Sequence, residues 1–202
     1  MRSAVLAGGT ASRFAGGAKG LERVGGTRIL DRVVETIRSA TGQLPLLIAN
    51  ADAARTWRDD LEVVPDALPG TGVLGGIYTA VTAAPGPVLV LAWDMPFVPA
   101  ALLEALVHGA DPYDAYLPES GGRRGIEPLC GVYGPPCARA IRDALAREDY
   151  RAIAFHDHVR VGTLRSNAVR RFGAPDYLFF NVNSAEDLSR AEGMWRDHGC
   201  SP

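Results

Sequence analysis

The chain has few cysteines, and they are scattered. Cys130, Cys137 and Cys200 are odd in number and follow no metal-ligand spacing, which argues against a disulfide framework or a zinc site and fits a reducing cytosol. An excess of charge is also missing. Lys plus Arg total 21 against 23 Asp plus Glu, a formal net charge of −2, so electrostatics give no reason to expect nucleic acid or a membrane surface as partner. No apolar run approaches the ~20 residues that a membrane helix needs. Ala4-Val5-Leu6 already reads as part of the fold, so no signal peptide is expected before it. Internal repeats, low-complexity tracts and clear linkers are lacking too. What remains is ordinary globular material, 202 residues at 47% hydrophobic and 22% charged. It predicts one domain over residues 1–202, located in the cytoplasm.

The strongest chemical signal lies in the first twenty residues. An apolar strand, Arg2 to Leu6, stops at Ala7-Gly8-Gly9, and a glycine-rich loop with two isolated cations, Arg13 and Lys19, follows. Glycine lets main-chain N–H groups approach a ligand closely, and Arg and Lys neutralise phosphate oxygens. The order predicts a phosphate site at the end of the first strand.

Beyond it, strand-like and helix-like patterns alternate. Ile29, Leu30, Val33, Val34 and Ile37 recur at helical spacing. Strands are expected at Leu44 to Ala49, Leu61 to Val64, Pro87 to Ala92, Ala115 to Leu117, Leu129 to Tyr133 and Leu178 to Val182. Helices are expected at Val73 to Ala83, from Pro99 to Val107, at Pro136 to Arg147 and from Ser184 to Trp195, with Ser184 as N-cap and Asp187 in the first turn. Continuous apolar strands alternating with helices predict an α/β fold, a mainly parallel central sheet covered by helices on both faces. In such sheets ligands bind beyond the carboxyl ends of the strands.

Several strand ends are polar. Asp94 follows six apolar positions and precedes Met95-Pro96-Phe97. A carboxylate there, opposite a cationic phosphate loop, suits a magnesium ion bridging phosphates; a structural hydrogen bond or a helix N-cap is the competing explanation. Asn183 offers a second hard oxygen, although its position before Ser184 also fits a helix cap. Gly70-Thr71-Gly72-Val73-Leu74-Gly75 matches G-x-G-x-x-G, but Asp66 to Pro69 separates it from the preceding strand. It reads either as a dinucleotide fingerprint or as a turn whose backbone, at Gly72, contacts a base or ribose. His156 and His158, two apart, do not share a helix face and read as exposed loop histidines. Arg123 and Arg124, like Arg170 and Arg171, belong to a solvated surface or meet an anionic second substrate.

Taken together, these motifs resemble the MobA-type molybdenum cofactor guanylyltransferases. The match runs from Leu6-Ala7-Gly8-Gly9, Arg13 and Lys19 through Val64-Pro65-Asp66, Gly72 to Ile77 and Asp94 to Phe97, to Phe179-Phe180-Asn181-Val182-Asn183 and Glu186-Asp187-Leu188. The resemblance implies a Rossmann-like three-layer α/β/α fold. It implies transfer of GMP from GTP to the terminal phosphate of molybdopterin, with Mg²⁺ as cofactor and pyrophosphate released. It places Leu6, Ala7, Gly8, Gly9, Lys19, Asn50, Asp66 and Asp94 on GTP, Arg13 and Lys19 on the departing phosphates, and Asp94 on the metal. By similarity to sugar nucleotidyltransferases, Asn183 is the second metal ligand. Handing over a labile cofactor implies transient docking with donor or acceptor proteins. Four positions depart from the pattern: Phe14 for Met, Ala18 for Asp beside the lysine, Val73 for Pro, and Trp93 for a small residue. The alternatives are a cytidylyltransferase or other member of the same superfamily, an NAD-type oxidoreductase, and a nucleotide-binding module without turnover.

Overall fold

The computed structural model describes residues 1–8, 19–122 and 125–198. The chain runs through β1 (Arg2–Leu6), a 3-10 turn (Lys19–Leu21), the hairpin strands β2 (Arg23–Val24) and β3 (Thr27–Arg28), α1 (Ile29–Thr41), β4 (Leu46–Ile48), β5 (Val63–Val64) and α2 (Gly72–Thr82). It continues with β6 (Val88–Ala92), α3 (Ala100–Gly109), β7 (Ala115–Pro118), β8 (Cys130–Tyr133), α4 (Pro136–Ala146), β9 (Val161–Leu164), α5 (Ser166–Val169), α6 (Pro175–Leu178) and α7 (Ala185–His198).

Seven strands form one sheet in the order β5-β4-β1-β6-β8-β7-β9, and only β8 runs antiparallel to its neighbours. β1 and β6 lie at its centre, with Ala4 opposite Val90 and Leu6 opposite Ala92. Strand alternation sends their side chains to two separate cores. Val5, Leu89 and Leu91 pack with α1 and α3, whereas Ala4, Leu6, Val88 and Val90 pack with α2 and α4. Three layers result, as the apolar periodicity predicts. α1 shows the cause: Ile29, Leu30, Val33, Val34 and Ile37 are each at most 1% exposed. Gly42, at φ 72°, ends that helix by donating its N–H to the Arg38 carbonyl, a left-handed cap that favours glycine.

Three expectations need correction. Leu178 to Val182 is not a strand. Leu178 closes α6, and the chain then crosses the carboxyl end of β6, where the Val182 N–H donates to the Asp94 carbonyl at 2.9 Å. Leu178, Phe179 and Val182 are buried in the core without a ladder partner, so their apolar character reflects packing, not pairing. The sheet edge is taken instead by β9, a short strand containing Gly162. β4 is shorter than expected because Leu44 is 37% exposed. His156 is not an exposed loop residue: it lies in a 3-10 turn, edge-on to Phe155, with a buried Nε2 that has no partner among the described residues. Burial lowers its pKa to about 4. Burial raises the Cys137 thiol to about 12, so that sulfur is no nucleophile near neutrality. Among the described residues no helix is long and apolar enough to cross a membrane.

Candidate active site

The carboxyl ends of β1, β4, β5 and β6 lie side by side. The Ala7 N–H donates to Ile48 O at 2.9 Å, Ala49 N–H to Val64 O at 3.1 Å, and Trp93 N–H to Leu6 O at 3.2 Å. One edge of the sheet therefore presents Ala7-Gly8, Asn50, Asp66 and Asp94 together, as the strand-end rule predicts.

Asp94 is the only buried carboxylate among the described residues, 6% exposed. Its Oδ2 accepts from the Lys19 ammonium at 2.5 Å, and the same Nζ donates to Asn183 Oδ1 at 2.7 Å. Its Oδ1 is buried and has no partner among the described residues. Lys19 is the chain's single lysine, against twenty arginines. A compact ammonium fits between two oxygens where a planar guanidinium fork would not.

Asn183 takes part through its side chain, and the cap of α7 is made by others. The Ser184 hydroxyl accepts from Asp187 N–H at 3.1 Å and donates to Asp187 Oδ2 at 2.9 Å. The Asn183 N–H donates to that same Oδ2 at 3.1 Å. The cap fixes the Asn183 backbone, while the Val182–Asp94 bond brings it beside β6. Two hard oxygen donors, on Asp94 and Asn183, thus converge on one cation. That donor set fits a divalent ion, and Asp94 Oδ1, without a partner among the described residues, supplies a further oxygen.

Asn50 and Asp66 are also brought together. Asn50 Oδ1 accepts from Asp66 N–H at 2.7 Å, and Asp66 Oδ1 accepts from Leu68 N–H at 3.1 Å and from the Thr79 hydroxyl at 2.8 Å. Asp66 Oδ2 takes no partner among the described residues. Gly70 and Gly72 adopt φ values of 83° and 64°, the left-handed region where glycine is at ease. They turn the chain into α2. The 66–71 loop packs on the first turns of α2, where a Cβ at Gly75 would approach Leu68 O and Asp66 Oδ2, and residues 65–69 separate β5 from the glycine series, whereas a dinucleotide fingerprint begins at the strand end. Asp94, spaced as a ribose ligand in that reading, is paired with Lys19 instead.

Gly9, Arg13, Phe14, Ala18, Arg123 and Arg124 lie outside the described residues. Thr79 and Gly20 escaped the sequence reading. Thr79 looks like one more helix position, and Gly20 stands next to Lys19 with nothing to mark it.

Comparison with known proteins identifies the family. The MobA-like NTP transferase domain matches residues 3–161. A probable molybdenum cofactor guanylyltransferase of Pelotomaculum thermopropionicum is 33% identical, over 94% of this chain and 91% of its own length. A molybdenum cofactor guanylyltransferase of Bradyrhizobium sp. is likewise 33% identical, over 94% and 91%. The crystal structure of molybdopterin-guanine dinucleotide biosynthesis protein A from Archaeoglobus fulgidus superposes with a TM-score of 0.81 at 26% identity, covering 98% of this chain and all of that one. The glycine-loop oxidoreductase reading falls with these matches: the chain belongs to the MobA-like NTP transferase family and is a nucleotidyltransferase.

Proposed function

We propose that this enzyme transfers GMP from GTP to the terminal phosphate of molybdopterin. An oxygen of the pterin phosphate attacks the α-phosphorus of GTP, the bond from that phosphorus to the bridging oxygen breaks, and pyrophosphate leaves. The observation that carries the reading is the contact of Lys19 with both Asp94 and Asn183 at the carboxyl edge of the sheet. The names of the relatives supply the substrates. The whole chain serves as one catalytic domain, acting in the cytoplasm.

The acceptor phosphate is already ionised, so the reaction needs no protein nucleophile and no strong base. Catalysis is then positioning plus charge neutralisation. In this reading the backbone of Leu6, Ala7, Gly8 and Gly9 receives the nucleotide, with Gly72 lining it. Asn50 and Asp66 hold the neighbouring loop, and Asp66 Oδ2 is available to a base or ribose. Lys19 and Arg13 neutralise the β- and γ-phosphates as they depart. Asp94 and Asn183 hold Mg²⁺, which when bound neutralises phosphate charge as a Lewis acid. Donor and acceptor proteins dock transiently to pass the cofactor on.

Pyrophosphate release tests the proposal. It should require GTP, Mg²⁺ and molybdopterin together. Release from CTP in place of GTP would make the protein a cytidylyltransferase, and release that ignores molybdopterin would reject the acceptor.

A further inference from the structure

Gly20 has no room for a side chain. A Cβ built there would fall 2.8 and 2.9 Å from Cδ2 and Cζ3 of Trp93, and closer still to Cε3. All three atoms belong to the six-membered part of one indole. Gly20 is the buried middle residue of the Lys19–Leu21 turn, so the turn that carries the lysine rests on the Trp93 ring through its backbone. The ring itself is held. Trp93 is 4% exposed and stacks on Trp57, with centroids 5.1 Å apart at 21°. The Trp57 carbonyl in turn accepts from Arg28 at 3.0 Å, and Arg28 pairs with Asp31 through two nitrogens. The indole N–H is buried with no partner among the described residues.

Trp93 therefore adjoins both halves of the ion pair: Asp94 through the chain, Lys19 through Gly20. We propose that Trp93 is a positioning residue whose indole sets the height of the Lys19 turn above the sheet edge. A lysine stem is long and flexible. The ammonium contacts both Asp94 Oδ2 and Asn183 Oδ1, and a fixed backbone height selects the stem conformations that reach both. A flat ring under a residue without Cβ gives that distance a hard stop. In a chain with Ala18 beside the lysine, the support comes from below the turn. The catalytic consequence rests on the guanylyl-transfer reading; the placement of Lys19 does not.

The test uses the single lysine. An amine-acylating reagent reads Lys19 alone once the amino terminus is separated by peptide mass. Trp93→Ala removes the floor, Gly20→Ala lifts the turn off it, and Trp93→Phe restores part of the ring. Acylation of Lys19 in the folded protein should speed up about tenfold in the first two variants, and kcat should fall about 10- to 100-fold, the scale expected of a misplacement near 1 Å. Trp93→Phe should recover most of both. In the double variant the added Cβ occupies the space the indole left, so Gly20→Ala should have less than about a threefold further effect there. A purely structural tryptophan would lower the melting temperature and leave the acylation rate of the folded protein unchanged. That result, or effects that multiply in the double variant, overturns the proposal. Should Trp93→Ala fail to fold, Gly20→Ala with the ring intact still decides: unchanged acylation rejects the floor. If the wild type itself does not use GTP, the transfer reading fails, and acylation still answers for Trp93.

Discussion

The Lys19 ammonium lies between Asp94 Oδ2, at 2.5 Å, and Asn183 Oδ1, at 2.7 Å. A lysine from the turn after β1 thus occupies the gap between the two oxygens best suited to a divalent ion. If Asp94 and Asn183 hold the metal as proposed, lysine and metal would compete for the same ligands when no nucleotide is present. Removing the ammonium should therefore strengthen metal binding while weakening catalysis. Lys19→Met is expected to bind Mn²⁺ about tenfold more tightly than the wild type in nucleotide-free solution, a gain of about 1.4 kcal/mol. Turnover should drop at least ~100-fold through lost neutralisation of the leaving phosphates. Electron paramagnetic resonance titration of free Mn²⁺ reads the first effect; equal affinities would mean that the two cations do not share the site.

Asp94→Asn separates function from stability. Breaking a buried ion pair is ordinarily costly because one charge is left stranded. Here the Lys19 side chain is 15% exposed, so it can swing into water once released, and the substitution also removes a carboxylate whose Oδ1 has no partner among the described residues. Turnover is expected to fall by about 10² to 10³, as for loss of a group that acts on the transition state. The melting temperature should move by less than about 4 °C, equivalent to roughly 1 kcal/mol or less in a domain of this size. A collapse in melting temperature would show that Asp94 holds the fold together.

Much of this site was legible because strand ends can be read from apolar runs. Pro87 to Ala92 ends next to Asp94, and Arg2 to Leu6 ends at the glycines, and both strands form nearly as the sequence predicts. Asn183 was harder. The apolar residues at 178, 179, 180 and 182 look like a strand, yet no sequence pattern tells whether a partner strand is available. The available edge went to β9, whose Val161-Gly162-Thr163-Leu164 is short, carries a glycine and is only partly buried. The Trp93 contact was illegible for another reason. It joins Gly20 and Trp93, 73 residues apart in sequence, through shape alone, and shape leaves no periodic trace.

His156 gives the protein an acid-sensitive point. Burial holds its pKa near 4 in the folded state, against 6.5 for the free side chain. The unfolded chain therefore binds a proton between about pH 6.5 and 4 that the folded chain refuses, so stability falls as pH drops through that window and the loss is complete below it. The shift corresponds to at most about 3 kcal/mol. His156→Phe keeps an aromatic contact with Phe155 and removes the titration. Denaturant midpoints of the two proteins should lie closest above pH 7 and diverge in favour of the variant towards pH 4. Parallel pH profiles would mean that His156 accepts its proton without penalty.

Two glycines should respond in opposite directions to the same substitution. Gly193 lies inside α7, and a Cβ added there meets nothing within 4 Å. Gly193→Ala removes backbone freedom from the unfolded chain without strain and should stabilise by about 0.5–1 kcal/mol. Gly75 is also helical, in α2, but its Cβ would overlap the Thr71 hydroxyl and approach Leu68 O and Asp66 Oδ2 to 3.1 and 3.2 Å. Thr71 would lose the bond it donates to Leu68 O at 2.5 Å, and the loop that holds Asp66 would have to move. Gly75→Ala should therefore cost about 1–3 kcal/mol, the range for strain in a packed site, and raise KM for GTP more than it lowers kcat, because the proposed function puts Asp66 at the base or ribose rather than at the reacting phosphorus. Urea midpoints and steady-state kinetics check both halves. A stabilising Gly75→Ala with an unchanged KM would free the 66–71 loop from any part in binding.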